Sequence, residues 1–387
     1  MVQRKRPPPA ELAAFAVAGL CVPASRDASS ADSTDPRERM ATAHTQFPSG
    51  PDSGRAAAPP APVYLTVAQT SVERALLRDW IATLDHGTGG SPTVIDAADA
   101  GLEQRVTAAG PAPVVPLKVV WLPRERNGQR VATWLDVLKF TNPWQPDFVR
   151  QRRIRRYEPD RIRIVDGEPA PAAELHRLWE SAGTGTSFGA FVVSRATLAL
   201  ERAERLVTGY RYKMPRETLA QIESDPKFRR SAEKLAADTG RPLPDLRREL
   251  HACLDEMDTQ QTRFAIDIFY GQLGGLMTRG FQVEFDEAQV QHLRDLNRRH
   301  ALVFLPAHKS YVDPVLLGRE LQKHGFPANH AMGGANLNFW PLGPLAKRAG
   351  VVYIRRSFRD DPVYKLALRS YIAFLVRKRF NLEWYIE

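Results

Sequence analysis

The chain has 387 residues, of which 43% are hydrophobic and 25% are charged, a composition typical of a globular protein with a substantial core. Its net charge of +10 indicates anionic partners, which include phosphorylated substrates, acidic lipid headgroups and nucleic acid. Its two cysteines, Cys21 and Cys253, lie far apart without metal-ligand spacing, so neither a disulfide framework nor a zinc site is supported, and a reducing compartment fits.

The first 60 residues are rich in Ala, Pro, Ser, Asp and Arg and contain few aromatic side chains, which predicts disorder. The basic residues 4–6 and the apolar stretch 12–22 resemble a short secretory signal. Three prolines interrupt that pattern, and a true start at Met40 explains it as well, so we do not predict export. No apolar run has the length of a bilayer-spanning helix, so any membrane contact is expected to be peripheral.

Residues 61–170 are predicted to form an α/β region, with strands at 63–67 and 114–122 and a helix at 72–84. The stretch 148–163 is the most basic part of the chain. Its arginines are Arg150, Arg152, Arg153, Arg155, Arg156, Arg161 and Arg163. With the apolar residues between them, they could lie on an anionic membrane or along a phosphate backbone. A solvated surface balanced by acidic neighbours ranks first among the interpretations, an anionic membrane second and a nucleic-acid interface last.

Residues 171–286 are predicted to be helical throughout. The expected helices cover 172–211 with a break at 183–185, then 225–238, and then 243–272, which is entered through two prolines.

Residues 287–387 alternate between helical and strand patterns. Helices are expected at 287–300, 314–325, 339–349 and 360–380, and strands at 302–305, 329–332, 351–354 and 382–386. This alternation predicts a mostly parallel sheet that is covered by helices, so the fold class is α/β. The carboxyl ends of such strands share one edge, which is where ligands bind in open α/β sheets.

His308 and Asp313 lie in the predicted turn between the strand at 302–305 and the helix that begins at Pro314. Neutral imidazole takes a proton from an attacking hydroxyl, and a carboxylate bonded to its other ring nitrogen fixes the tautomer. The pair therefore suits half of a hydroxyl-activating site. The alternative is that Asp313 caps the helix and His308 is an ordinary loop residue.

Three blocks of sequence resemble the signature of the glycerol-3-phosphate acyltransferases and their dihydroxyacetone-phosphate relatives, a superfamily defined by His-x-x-x-x-Asp. The blocks are His308-Lys-Ser-Tyr-Val-Asp313, Gly350-Val-Val-Tyr-Ile-Arg-Arg356 and Trp384-Tyr-Ile-Glu387. Residues 201–215 and 269–275 are similar to the segment before the first block in the large bacterial and mitochondrial enzymes. The resemblance runs from about residue 195 to the end of the chain.

In the mechanism that the resemblance implies, His308 is the general base for a hydroxyl of glycerol 3-phosphate, and Asp313 orients it. The hydroxyl attacks an acyl thioester and forms the sn-1 ester, the first step of phospholipid and glycerolipid biosynthesis. Acyl-CoA or acyl carrier protein is the co-substrate. No metal and no other cofactor are expected.

The resemblance also implies a set of substrate-binding residues: Lys309, Ser310, Arg355, Arg356 and Glu387. Guanidinium groups form paired, charge-assisted bonds with phosphate, although an exposed basic strand end is the alternative reading of the two arginines. Lysophosphatidate acyltransferases typically carry an aspartate–arginine pair there, so a doubled arginine favours a three-carbon phosphate acceptor. Dihydroxyacetone-phosphate acyltransferases share the doubled arginine and are an alternative. Lys309 departs from a common arginine and offers a point charge instead.

The chain ends at Glu387, whereas the family continues with a glycine, an arginine–serine pair and a fourth block. The resemblance therefore implies an amino-terminal fragment whose acyltransferase domain, residues 287–387, is incomplete. A catalytically incomplete, membrane-associated fragment is the alternative. We expect a peripheral location on the cytoplasmic face of the cell membrane and no nucleic-acid partner.

Overall fold

Two larger β-sheets, a separate two-stranded hairpin, and the helices between and around them make up the described part of the chain. The computed structural model describes residues 60–84, 92–183, 185–281, 283–284, 286–307, 309–310 and 312–385. The disorder predicted for residues 1–60 and the targeting pattern in 4–22 lie outside the described residues, apart from Pro60.

The first sheet and its helices occupy residues 63–171. Its elements are β1 (Val63–Val67), α1 (Ser71–Ala82), β2 (Thr93–Asp96), α2 (Leu102–Ala108), β3 (Pro113–Trp121), β4 (Glu125–Arg126), β5 (Gln129–Arg130), α3 (Trp134–Leu138), α4 (Phe148–Tyr157), β6 (Ile162–Asp166) and β7 (Ala170–Pro171). The strand order is β2-β1-β3-β6; β1 runs parallel to β2 and β3, whereas β6 and β7 pair antiparallel with β3. β4 and β5 form a separate hairpin.

The strands predicted at 63–67 and 114–122 are present, as is the helix predicted at 72–84. Both strands are rich in apolar residues because helices cover both faces of this sheet. The basic stretch 148–163 is not one surface: it forms α4, a short turn and the start of β6.

A helical region follows, as predicted. Its elements are α5 (Ala172–Ala182), α6 (Phe188–Thr208), α7 (Thr218–Glu223), α8 (Pro226–Thr239), α9 (Leu243–Met257), α10 (Arg263–Ile266), a π-helical stretch (Asp267–Leu273) and α11 (Gly274–Met277). The single helix predicted at 243–272 is wrong. Asp258 is extended, with ψ at 121°, and Gln260 has a positive φ of 46°, so the chain turns before the Thr262 side chain caps α10.

The second sheet carries the candidate site. Its elements are α12 (Glu287–Arg299), β8 (Val303–Phe304), α13 (Asp313–Lys323), β9 (His330–Gly334), α14 (Leu342–Ala349), β10 (Val351–Ile354), α15 (Pro362–Arg377) and β11 (Leu382–Glu383). The order is β10-β9-β11-β8 and every pair is parallel, which confirms the predicted sheet. β8 and β11 are shorter than predicted. Because all four strands point the same way, the segments that follow β8, β10 and β11 leave from one edge.

The second sheet packs on the helical region through α15. Tyr364, Tyr371 and Phe374 recur at helical spacing along α15 and are fully or almost fully buried. They share a hydrophobic core with α9 and with Val352 of β10. Each large apolar side chain that is buried in this way contributes about 1.5–3 kcal/mol, so this contact fixes β10 and the segment after it.

The π-helical stretch fixes α13, the helix that follows the candidate site. A Cβ atom at Gly318 of α13 would lie 2.2 Å from Cε1 of Tyr270, so only glycine permits this close packing. The same stretch is tied to the first sheet region by Asp267, a buried carboxylate. Asp267 accepts hydrogen bonds from Tyr212 Oη (2.6 Å), the Ala132 amide (2.7 Å) and Trp144 Nε1 (2.8 Å).

Candidate active site

The turn between β8 and α13 is held together by the Asp313 carboxylate. Its Oδ2 accepts hydrogen bonds from the backbone amides of Lys309 (2.8 Å) and Ser310 (2.7 Å). The Asp313 amide in turn donates to the Ser310 carbonyl at 3.1 Å. These bonds fold the turn back on the start of α13, so the carboxylate determines the path of the residues just before it.

Asp313 does not cap α13 in the way that the alternative reading proposed. The residue that precedes the helix is Val312, and no side chain at that position accepts a hydrogen bond from the first turn. Asp313 is instead the first residue of α13, where a negative charge is favoured by the helix dipole. Its partner in the predicted pair, His308, lies outside the described residues, so the pairing stays a prediction.

Arg355 follows β10 and is held by two carboxylates. Its Nη2 lies 2.6 Å from Glu256 Oε2, its Nη1 lies 3.3 Å from Asp361 Oδ2, and its guanidinium stacks 4.6 Å from the centre of the Tyr364 ring. The hydrogen bonds with Glu256 raise the pKa of Arg355. A phosphate would have to compete with these carboxylates, so the geometry gives Arg355 a structural role in addition to the predicted one.

Arg356 is exposed, and within the described ranges it forms no ion pair. A Cβ atom built on Gly334, the last residue of β9, would lie 3.7 Å from Arg356 Nε, which places the guanidinium at the shared strand edge. Lys309 and Ser310 are also exposed. The structure thus leaves Lys309 and Arg356 as accessible cations among the predicted substrate-binding residues that it describes; Glu387 lies outside those residues.

A buried polar group that sequence reasoning missed lies at the end of β11. Glu383 is 0% exposed, accepts a hydrogen bond from Asn329 Nδ2 at 2.9 Å, and accepts another from the Tyr385 hydroxyl. Burial raises the pKa of Glu383 to about 7, against the lowering effect of these two donors. The sequence signal that could have indicated this buried group is an acidic residue, Glu383, inside the predicted strand 382–386.

Tyr385 connects this buried group to the candidate site. Burial and the Glu383 carboxylate raise the pKa of the Tyr385 hydroxyl, and the charge of Asp313 adds to the rise. Tyr385 therefore donates a hydrogen bond to Glu383 and lies near enough to Asp313 to be affected by its charge.

Two further features bear on the chemistry of the described residues. Among them, no group of three or more His, Cys, Asp or Glu side chains is arranged to hold a metal ion. No helix in the described ranges combines the length and apolar character needed to cross a membrane.

Comparisons with known proteins agree on the class of chemistry. Residues 287–387 match the family model described as Acyltransferase. A protein named "Putative acyltransferase plsB1", found in Mycobacterium bovis and in the CDC 1551 and H37Rv strains of Mycobacterium tuberculosis, is 40% identical over 153 residues. That match covers 40% of this chain and 24% of each relative, so the chain spans about a quarter of their length. The comparisons support acyl transfer and name no acceptor, ester position or donor.

Proposed function

We propose that this chain carries the catalytic region of an enzyme that transfers a fatty acyl group from a thioester donor to the sn-1 hydroxyl of glycerol 3-phosphate. The observation that carries the proposal is the Asp313-bound turn, which lies at the strand edge that also bears Arg356. This edge belongs to the region that matches the acyltransferase family model. An exposed edge of this kind gives a phosphorylated acceptor access to a general base.

In the proposed reaction His308 takes the proton from the acceptor hydroxyl as the oxygen attacks the thioester carbonyl. A carbon–oxygen bond forms, the carbon–sulfur bond breaks, and the departing thiolate takes the proton back from His308. Asp313 supplies the negative charge that stabilises the imidazolium formed between these steps. All groups in this scheme come from the protein and its two substrates.

The acceptor phosphate is proposed to bind Arg356 and Lys309, with Ser310 as a further hydrogen-bond donor. Arg356 suits this role because its guanidinium is exposed and has no carboxylate partner among the described residues. Arg355 contributes by positioning the segment after β10 through Glu256 and Asp361. The acyl donor, acyl-CoA or acyl carrier protein, is proposed from the reaction class alone.

An acceptor panel tests this proposal. The chain, with any coding sequence that continues past residue 387, is incubated with palmitoyl-CoA and with glycerol 3-phosphate, dihydroxyacetone phosphate or lysophosphatidate. We expect free CoA to appear fastest with glycerol 3-phosphate, and the labelled product to be the 1-acyl isomer. Equal or faster release with dihydroxyacetone phosphate would reassign the acceptor, and release with lysophosphatidate alone would contradict the proposed substrate class.

The two neighbouring arginines are expected to differ when they are replaced. Arg356→Ala should raise the Michaelis constant for glycerol 3-phosphate about ten- to a hundredfold, because charge-assisted bonds of about 1.5–3 kcal/mol are lost. Its thermal stability should not change, since Arg356 has no ion pair in the described structure. Arg355→Ala should lower the melting temperature as well, because Glu256 and Asp361 lose their shared partner.

Arg369→Ala is the matched control, since Arg369 is an exposed arginine on α15 that lies outside the proposed site. It should leave both the acceptor Michaelis constant and the melting temperature unchanged. An Arg356→Ala enzyme with an unaltered acceptor Michaelis constant would exclude Arg356 from phosphate binding.

A further inference from the structure

Large apolar side chains are exposed around α3 and the start of α4. The exposed fractions are 49% for Leu135, 72% for Leu138, 94% for Phe140 and 73% for Val149. Trp134 is 41% exposed at the start of α3. Scattered apolar residues are normal on a protein surface, but several large ones in a single short segment mark an interaction site.

The outward face of α4 adds unpaired positive charge to this segment. Gln151 and Ile154 are the buried residues of α4, so helical geometry places Val149, Arg152, Arg153 and Arg156 on the opposite side. The last three are exposed arginines, and none forms an ion pair in the described structure.

Three other arginines of the stretch 148–163 are paired with carboxylates, so the stretch is not one uniform basic cluster as the sequence suggested. Arg155 pairs with Asp79 at 2.9 Å, Arg161 is buried against Glu158 at 2.7 Å, and Arg150 pairs with Asp147. The charge available to a partner is therefore concentrated on the outward face of α4.

Direct contacts join the apolar and basic parts. Arg150 Nη2 donates to the Lys139 carbonyl at 3.4 Å, which holds the chain between Leu138 and Phe140 against the first turn of α4. The Arg152 guanidinium lies 4.4 Å from the centre of the Phe148 ring. We call the combination of α3, residues 139–140 and the outward face of α4 the α3–α4 surface.

A hollow of about 360 Å³ borders the α3–α4 surface on the side of α1. It is lined by Ser71, Val72, Ala75, Arg152, Arg155 and Arg156. Guanidinium groups around an open hollow of this size suit a phosphate group, and its apolar lining residues suit the carbon atoms next to that phosphate.

We propose that the α3–α4 surface docks on the interface of an anionic lipid bilayer. Leu138, Phe140 and their apolar neighbours enter the boundary between headgroups and acyl chains, while Arg152, Arg153 and Arg156 contact lipid phosphates. The mixture of exposed aromatic and aliphatic side chains with unpaired arginines distinguishes this partner from nucleic acid, which offers no apolar layer for Phe140 and Leu138 to enter. This inference concerns a surface apart from the proposed site and does not depend on the acyl-transfer reaction.

Vesicle co-sedimentation of the full 387-residue chain tests the proposal. We expect the chain to bind vesicles that contain phosphatidylglycerol, to bind pure phosphatidylcholine vesicles far more weakly, and to dissociate as salt rises. Replacing Arg152, Arg153 and Arg156 with glutamine should weaken binding about a hundredfold. The pair Leu138→Ser and Phe140→Ser should weaken it at high salt as well as at low salt, because apolar insertion is not screened.

The control removes the same charge elsewhere: Arg195, Arg230 and Arg299 are exposed arginines on α6, α8 and α12 that form no ion pair with any residue the structure describes, and their replacement with glutamine should change binding little. When anionic vesicles are added, the emission of Phe140→Trp should shift further to the blue than that of the parent chain, whereas Leu206→Trp, at a similarly exposed position, should shift no further than the parent. All variants are checked for folding by circular dichroism.

Three results would overturn the proposal. The first is no binding to anionic vesicles, or equal binding to neutral ones. The second is an equal loss of binding in the two arginine variants, which would show that only total charge matters. The third is that the chain dimerises without lipid in a concentration-dependent way and that Phe140→Ser abolishes the dimer. A second copy of the chain would then be the partner of this surface.

Discussion

Replacing His308 with alanine is expected to reduce acyl transfer by about a hundred- to ten-thousandfold, the range that general-base catalysis contributes. The acceptor hydroxyl is almost fully protonated at neutral pH, so attack on a thioester without a base is slow. The Michaelis constant for glycerol 3-phosphate should change little, because the proposed phosphate contacts lie on Arg356 and Lys309. The measurement is steady-state release of CoA from palmitoyl-CoA.

Replacing Asp313 can separate two roles of its carboxylate, which are accepting hydrogen bonds from the turn and supplying negative charge to His308. Asparagine at 313 retains an oxygen that can accept the amides of Lys309 and Ser310, so the turn is expected to keep its shape. It lacks the negative charge that stabilises a histidine cation. Asp313→Asn should therefore reduce turnover strongly without lowering the melting temperature, whereas Asp313→Ala should lower both.

His292→Ala is the matched control, since His292 is an exposed histidine on α12 outside the proposed site. Its activity should equal that of the parent chain. Turnover of His308→Ala within a fewfold of the parent value would show that another group accepts the proton. Normal turnover in Asp313→Asn would restrict Asp313 to holding the turn.

The parallel sheet could be predicted from sequence because its signals are local. Short apolar runs alternate with helices that start at proline and stop near glycine, as at Pro314 and Gly350. Parallel strands need such crossovers, so the shared edge follows from the alternation alone. The lengths of β8 and β11 were less predictable, because where pairing ends depends on the neighbouring strands.

The partners of the site residues could not be predicted in this way. Arg355 meets Glu256, which is 99 residues earlier in the chain, and no local pattern indicates that contact. In sequence, two adjacent arginines after a strand predict two equivalent phosphate ligands. In the folded chain Arg355 pairs with two carboxylates, whereas Arg356 pairs with no carboxylate among the described residues. Long-range packing therefore separates two residues that are adjacent and identical in sequence.

The break after α9 shows the same limit. Residues 243–272 have continuous helical apolar spacing, and spacing alone does not reveal that Asp258 and Gln260 adopt non-helical backbone angles. The later part of that stretch then packs against α13 through Tyr270 and Gly318. Because of this turn, α9 and the π-helical stretch pack in different parts of the core. Tertiary packing therefore outweighs the continuous helical periodicity of the sequence.

Glu383 is expected to make the stability of the protein depend on pH near neutrality. Its folded-state pKa of about 7 lies above the ordinary value of 4.5, because burial disfavours the carboxylate. A raised pKa means that the folded chain binds the proton more tightly than the unfolded chain does. The stabilisation is fully present below about pH 4.5, is lost as pH rises through about 7, and totals about 3 kcal/mol.

Glu383→Gln isolates this contribution. A neutral amide can accept from Asn329 through its oxygen and donate to the Tyr385 hydroxyl through its nitrogen, so both existing contacts can be kept. The free energy of unfolding of the parent chain, relative to this variant, should fall by about 3 kcal/mol between about pH 4.5 and pH 8, as measured by urea denaturation. Glu287→Gln, on the exposed start of α12, should leave the pH dependence as in the parent. Parallel stability curves for the parent and Glu383→Gln would mean that the buried carboxyl keeps one charge state throughout this range, and that the Asn329 and Tyr385 hydrogen bonds outweigh the cost of burial.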